Sequence, residues 1–194
     1  LTRAFLPAGT TVDLNTGSLN VTANGSTKSV SEAKPEKDGA TGNTVGIGAS
    51  VAMSLIDNVT EAVIENGATV TDGNAVKFAA NGEHAVETKG EMSASGGTAI
   101  TPVVAIVLGN HTSRVSFDTG STVSATGNID GEVTHTADVK TEGLGDAKGS
   151  GALAAGGMFA FSSLSDVAAV VADGTLTTTG GNVGLRSQNR TKSR

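Results

Sequence analysis

One short pattern recurs along this chain at a fixed interval, and the interval constrains the fold more than any single residue does. Gly67-Ala68-Thr69-Val70-Thr71 returns one 53-residue step later as Gly120-Ser121-Thr122-Val123-Ser124. A looser copy, Gly174-Thr175-Leu176-Thr177-Thr178, follows at the same interval or one position beyond it, depending on how it is registered. A chain built this way makes one unit several times, and each unit covers its apolar face with its neighbours.

Aligning the copies at that interval exposes columns. Ile47, Val51, Met53 and Leu55 fall beside Ile100, Val104, Ile106 and Leu108, then beside Leu153, Gly157, Phe159 and Phe161. These are alternate positions, so they occupy one face of a strand. The positions between them are slim: Gly48, Ser50, Ala52 and Ser54, then Thr101, Val103, Ala105 and Val107, then Ala154, Gly156, Met158 and Ala160. The bulky column is the face expected to stack inward. The slim column is the face expected to allow close approach of another layer or chain.

Polar pairs (Asp57-Asn58, Gly109-Asn110, Ser162-Ser163) read as corners leading to a second short strand, which carries Ala62 and Ile64, Val115 and Phe117, then Ala168 and Val170. A Gly turn opens a third strand at Ala68–Thr71, Val76 and Phe78 mark a fourth, and polar stretches at 26–43, 83–97 and 136–151 read as closing each unit. Val51, Leu55, Val59 and Val63 also fit a helical spacing, but the equivalent stretch His111–Thr119 is β-branched and alternating, which favours strand.

The expected segments are 1–43, a worn partial repeat; 44–96 and 97–149, two full repeats; and 150–194, a truncated third. In the worn copy Gly9-Thr10-Thr11-Val12 imitates Gly67-Ala68-Thr69-Val70, while Leu19, Val21 and Asn24-Gly25 imitate Val76, Phe78 and Asn81-Gly82. Its steps are slightly longer than the repeat and not quite equal, as small insertions at a turn would make them.

Short strands with Gly, Asn and Asp corners fit a parallel β-helix (β-solenoid) or a tandem β-sandwich array. Like residues stacked on like point to the solenoid. A coil of roughly 18–20 residues, as in a triangular β-helix, gives about three coils per repeat. Composition agrees: with 27 Gly, five Phe and no Trp or Tyr, the chain suits thin regular layers better than a dense irregular core.

Catalytic motifs are missing. There is no Gly-x-Ser-x-Gly elbow and no phosphate-binding loop, and Gly46-Ile-Gly48-Ala-Ser-Val51 places Val where a dinucleotide fingerprint needs its third Gly. His84, His111 and His135 are the only histidines; they share no metal-binding spacing and are expected at corners or facing solvent. His135 with Glu132 and Asp138 is the least bland grouping. Asn128-Ile-Asp130-Gly131-Glu132 clusters oxygen donors of the kind calcium prefers, although Asn and Asp also make ordinary turns. Asn20, Asn24, Asn58, Asn110 and Asn189 sit in Asn-x-Ser/Thr and are read as turn residues. The expected site list is therefore empty: no catalytic, cofactor-binding or metal residue, and no cofactor.

A net charge of −6 argues against nucleic acid, which needs a concentrated Lys/Arg surface. Arg186, Arg190, Lys192 and Arg194 form the only basic cluster, read as a solvated end. No apolar stretch approaches a membrane span, and the chain, beginning without Met, reads as a piece of something longer.

Val45–Ile56, Thr60–Ile64 and Gly67–Thr71 resemble the repeats of giant bacterial surface proteins, the filamentous haemagglutinin-like or leukotoxin-type adhesins. The resemblance implies a right-handed β-helix, secretion across the bacterial envelope and a fibrous stalk presenting adhesive ends. The secretion-domain signature Asn-Pro-Asn-Leu is not in this chain, so the segment is expected to be shaft, and no site residue carries over. The expected role is a non-catalytic shaft segment at the bacterial cell surface. Its expected partners are its own repeats, lateral or end-to-end copies, and a host or cell-surface ligand bound through other regions. The rival roles are a β-helical polysaccharide-degrading enzyme, which lacks aromatic platforms here, and an ice- or surface-binding solenoid, whose threonines read as scattered between copies. The doubly apolar Val167–Val171 strand is a second expected contact surface.

Overall fold

The computed structural model describes residues 1–35 and 39–194, with the side chain of residue 152 left aside; the part of the expected polar closing stretch at 36–38 lies outside the described residues. The strands are β1 (Thr2–Leu6), β2 (Thr11–Asp13), β3 (Leu19–Ala33), β4 (Ala40–Thr41), β5 (Val45–Ile47), β6 (Ser50–Ile64), β7 (Thr69–Gly73), β8 (Val76–Phe117), β9 (Thr122–Ala125), β10 (Ile129–Ala172), β11 (Thr175–Thr178) and β12 (Val183–Ser193). No helix occurs among the described residues. The stretch with helical spacing lies in β6.

All described pairing is parallel. β1, β3–β6, β8, β10 and β12 form one sheet, and β2, β7, β9 and β11 form a small second sheet. An array of β-sandwiches would be antiparallel.

The register corrects the expected coil count. Ser50 pairs with Val103 and Val76 with Ile129, each partner lying one full repeat further along the chain. A repeat therefore makes a single turn of the stack instead of about three. The reason is strand length. β8 runs 42 residues and folds back on itself near Gly96-Gly97, since Phe78 and Phe117, at its two ends, meet edge-to-face with ring centroids 5.3 Å apart. Each turn thus consists of an outgoing limb, a tip and a returning limb. The stretches 83–97 and 136–151, expected to be closing loops, lie in strands. So do the expected corners Asp57-Asn58, Gly109-Asn110 and Ser162-Ser163.

Where the limbs diverge, the small sheet forms a third wall. The Gly turn that announced the repeat makes this junction. Gly67 and Gly120 adopt φ of 70° and 75°, a left-handed conformation that Gly enters without a Cβ clash. Ala68 N–H and Ser121 N–H then close the turns onto the carbonyls of Glu65 and Asp118. Inside the three walls lies the main core: Leu6, Ile64, Val70, Val76, Phe78, Val115, Phe117, Val123, Ile129 and their small neighbours.

Toward the tip the two limbs close on each other, and this decides which column is buried. A Cβ added at Gly90 would sit 2.9 Å from Val103 Cγ1, so the gap admits only small groups. The slim residues Ala52, Ser54, Val103, Ala105 and Val107 fill it. In the first two copies the bulky column faces outward, against expectation: Met53 is 53% exposed, Leu55 67% and Leu108 42%, whereas in the last copy, at the end of the stack, Met158 of the slim column and Phe159 of the bulky one are both exposed. Val51–Val104–Phe159 and Met53–Ile106–Phe161 are lateral neighbours, forming an apolar outer face. An irregularity between Gly149 and Leu153 advances the third copy by two residues. An even shift keeps each side chain on its face. Val167 is also outward and largely exposed.

Candidate functional site

A layer of polar side chains crosses the interior between the main core and the tip. Strand alternation puts it there: His84 lies on the inward face of β8 with Phe78, Ala80 and Val86, and His111 lies on the inward face of the returning limb with Val107, Val115 and Phe117. In β10, His135 and Asp166 take the corresponding inward positions. Asp166 is the lateral partner of His111, and His135 that of Gly82.

The three histidines expected at corners or facing solvent are therefore buried together. His84 and His111 stack with ring centroids 4.7 Å apart and planes within 10°; His135 lies 5.3 Å from His84 and 6.0 Å from His111. Small residues make the room. A Cβ on Gly82 would approach Ser113 Oγ, His84 Nε2 and His135 Nδ1, and one on Gly109 would stand 3.3 Å from His111 Cε1.

Each imidazole is anchored through Nδ1. His84 Nδ1 bonds Thr27 Oγ1 (2.8 Å), His111 Nδ1 bonds Asp166 Oδ1 (2.7 Å) and His135 Nδ1 bonds Ser113 Oγ (2.9 Å). The network extends outward on both sides. Asn58 Nδ2 donates to Thr27 Oγ1 (3.1 Å), Thr191 Oγ1 donates to Asp166 Oδ2 (2.6 Å), and Asn189 Nδ2 donates to the Asp166 carbonyl (3.1 Å). A polar thread thus runs across four successive turns.

The Nε2 atoms of all three histidines are buried without a hydrogen-bond partner. Burial penalises the imidazolium: it pushes His84 down to about 4, assisted by the neighbouring His111 and His135, and it lowers His135, with Asp166 opposing in both cases.

The groupings expected from spacing alone are not brought together. Glu132 and Asp138 point outward while His135 points in; Glu132 pairs with Lys77 (2.7 Å), whose ammonium holds its carboxyl below the usual range, and Asp138 pairs with Arg194 (3.2 Å). The Asn128–Glu132 segment enters strand at Ile129, so its oxygen donors do not converge. Asn110 donates to Asp57 Oδ1 in the adjacent turn (3.2 Å), and Asn81 to Asn24 Oδ1 (2.8 Å). Threonines that look scattered in sequence do align: Thr11, Thr69, Thr122 and Thr175 are lateral neighbours. Two residues on, the next position of the same face mixes Asp13, Thr71, Ser124 and Thr177, and the register slips between Val70 and Gly73, so no regular lattice forms there.

Asp166 escaped the sequence reading altogether. A signal was available: His84 and His111 are nearly equidistant from the Gly96-Gly97 tip, and Asp166 aligns with His111 once the third copy is shifted by two positions. An open groove of about 440 Å³ crosses the outside near this level, lined by Leu55, Asp57, Leu108, Asn110 and Leu164 among others. It brings no second titratable group to Asp57. No family model, curated protein or solved structure matches this chain.

Proposed function

We propose that this chain is a non-catalytic structural segment of an extracellular bacterial fibre or adhesin, its repeats stacked as a wide β-solenoid. One observation carries the reading: successive repeats lie in parallel register in both sheets, equivalent positions side by side through four turns. Such an array lengthens by adding identical pairings, as a shaft requires.

The single turn per repeat changes what kind of shaft this is. Parallel neighbours are about 4.8 Å apart, so each 53-residue repeat adds about 4.8 Å of axial length. A limb of about 20 residues spans about 65 Å across. The segment is a broad blade with small axial reach, and its outward Val51–Val104–Phe159 face supports lateral association with copies or other regions of the parent fibre.

Labelling intact producing cells with an antibody to this segment tests the location, and surface signal removed by external protease is the expected result. Signal seen only after permeabilisation overturns the reading. Small-angle scattering on the purified segment should give a flat cross-section about 65 Å wide, the length of one extended limb.

A further inference from the structure

We propose that His111, His135 and Asp166 form a binding site for a borderline-soft divalent cation of the zinc class, which ties two successive turns together across the blade interior. One nitrogen of each imidazole and one carboxylate oxygen lie within 4.8 Å of one another, and all three residues face the buried layer. His135 Nε2 stands 3.8 Å from Asp166 Oδ1, a separation that a shared ion with ligand bonds near about 2.1 Å can bridge.

Unpartnered nitrogens lie in the same layer. A buried polar atom without a partner is unfavourable, and this layer holds three of them, all imidazole Nε2, of which His135 Nε2 is the one that faces Asp166 Oδ1. Ser113 is the acceptor on His135 Nδ1 when that nitrogen carries the proton, which leaves the Nε2 lone pair aimed into the layer. His111 bonds Asp166 through Nδ1 while its Nε2 is unpartnered, so moving its proton from Nδ1 to Nε2 exposes a second ligand without changing net charge. Asp166 supplies the anion, and Thr191 on its other oxygen fixes the carboxylate, the outer-shell arrangement that metal-ligating carboxylates use. Gly82 and Gly109 keep the volume clear.

The donor set selects the ion. Two imidazoles with one carboxylate suit zinc, cobalt or nickel, whereas calcium and magnesium require oxygen cages. The site belongs to the interior of the stack and does not depend on the shaft reading: a cytoplasmic protein with this fold would bind the same ion.

The test uses the whole chain stripped with chelator and titrated with Co2+ and then with Zn2+. The expected result is one Co2+ per chain with visible d–d absorption, displaced by Zn2+ and indifferent to millimolar Ca2+ or Mg2+. Asp166→Asn and His135→Gln should each weaken binding by more than the roughly 10–100-fold typical of losing an outer-shell partner, and Thr191→Val should fall within that range. Because core variants can fail to fold, nitrogen-detected histidine spectra of the unaltered protein provide a second readout: Zn2+ should shift His111 and His135 ring nitrogens. No Co2+ band, binding undiminished in Asp166→Asn, or Zn2+ leaving those nitrogens unmoved would each overturn the proposal.

Discussion

Replacing Ala105 by Leu, and separately Leu55 by Thr, reads directly which face of the returning limb is the core. Ala105 is fully buried, its lateral partner Ala52 is buried as well, and the opposing limb is so close that Gly90 has no room for a Cβ beside Val103. Three added carbons must displace packed strands, which destabilises by about 1–3 kcal/mol. For a chain of this size each kcal/mol shifts Tm by about 2–4 °C, so Ala105→Leu should melt roughly 2–12 °C lower. Leu55 is 67% exposed, and Thr places a β-branched side chain, favoured in strands, at that position. That change should stay within about 0.5 kcal/mol, or roughly 2 °C. Thermal melts followed by far-ultraviolet circular dichroism, run at one protein concentration and scan rate, make the comparison. If the bulky column were the core, the order would reverse, because Leu55→Thr would remove a buried side chain while Ala105→Leu added to a surface. Leu55→Thr proving the more damaging change would refute the inside-out packing.

Truncating Phe117 to Ala removes the edge-to-face partner of Phe78 in the three-walled core and should lower stability by about 3–5 kcal/mol in urea unfolding; a loss under about 1 kcal/mol would contradict the burial. Gly120→Ala places a Cβ at φ 75° and should lose about 1–2 kcal/mol, whereas Gly157→Ala, with nothing within 4 Å of the new Cβ, should be neutral. In chelator-treated protein, stability should be greatest above pH 6.5 and fall as pH drops toward 4. His84 is held near 4 when folded, so across that window the unfolded chain binds the extra proton. The His84 contribution is up to about 3 kcal/mol at about 1.4 kcal/mol per pH unit, with His111 and His135 facing the same space and Asp166 opposing. Urea midpoints that hold level or rise from pH 7 to pH 5 would exclude it, and His84→Gln should flatten the profile.

The histidine layer shows why part of this protein is legible in sequence and part is not. Asp57-Asn58 and Gly109-Asn110 look like corners because polar and Gly residues usually interrupt strands at turns. In a two-limbed turn the same residues stay within continuous strand: Asn58 reaches the buried layer through Thr27, Gly109 leaves room for His111, and Asp57 and Asn110 face the outside. His84 and His111 meet only because the chain reverses near Gly96-Gly97, and Asp166 joins them through lateral pairing at long range. Both contacts are recorded only at long range, in the distances from the tip and the shift of the third copy, and His135 with Glu132 and Asp138 is the wrong neighbourhood because strand alternation sends those carboxylates to the other side.

By itself the sequence determined an all-β chain, the 53-residue interval, the parallel stacking of like positions and the longer, uneven steps of the N-terminal part, since period-two alternation and recurring columns record strand and stack directly. Only the tertiary structure decided that one repeat makes one turn, that the slim column is inside, and that three histidines and an aspartate share a buried layer. The physical reason is that alternation separates two faces without saying which is covered. That choice belongs to the gap between opposing limbs: where β8 folds back on itself the gap is narrow enough to admit Ala105 and to exclude Leu108.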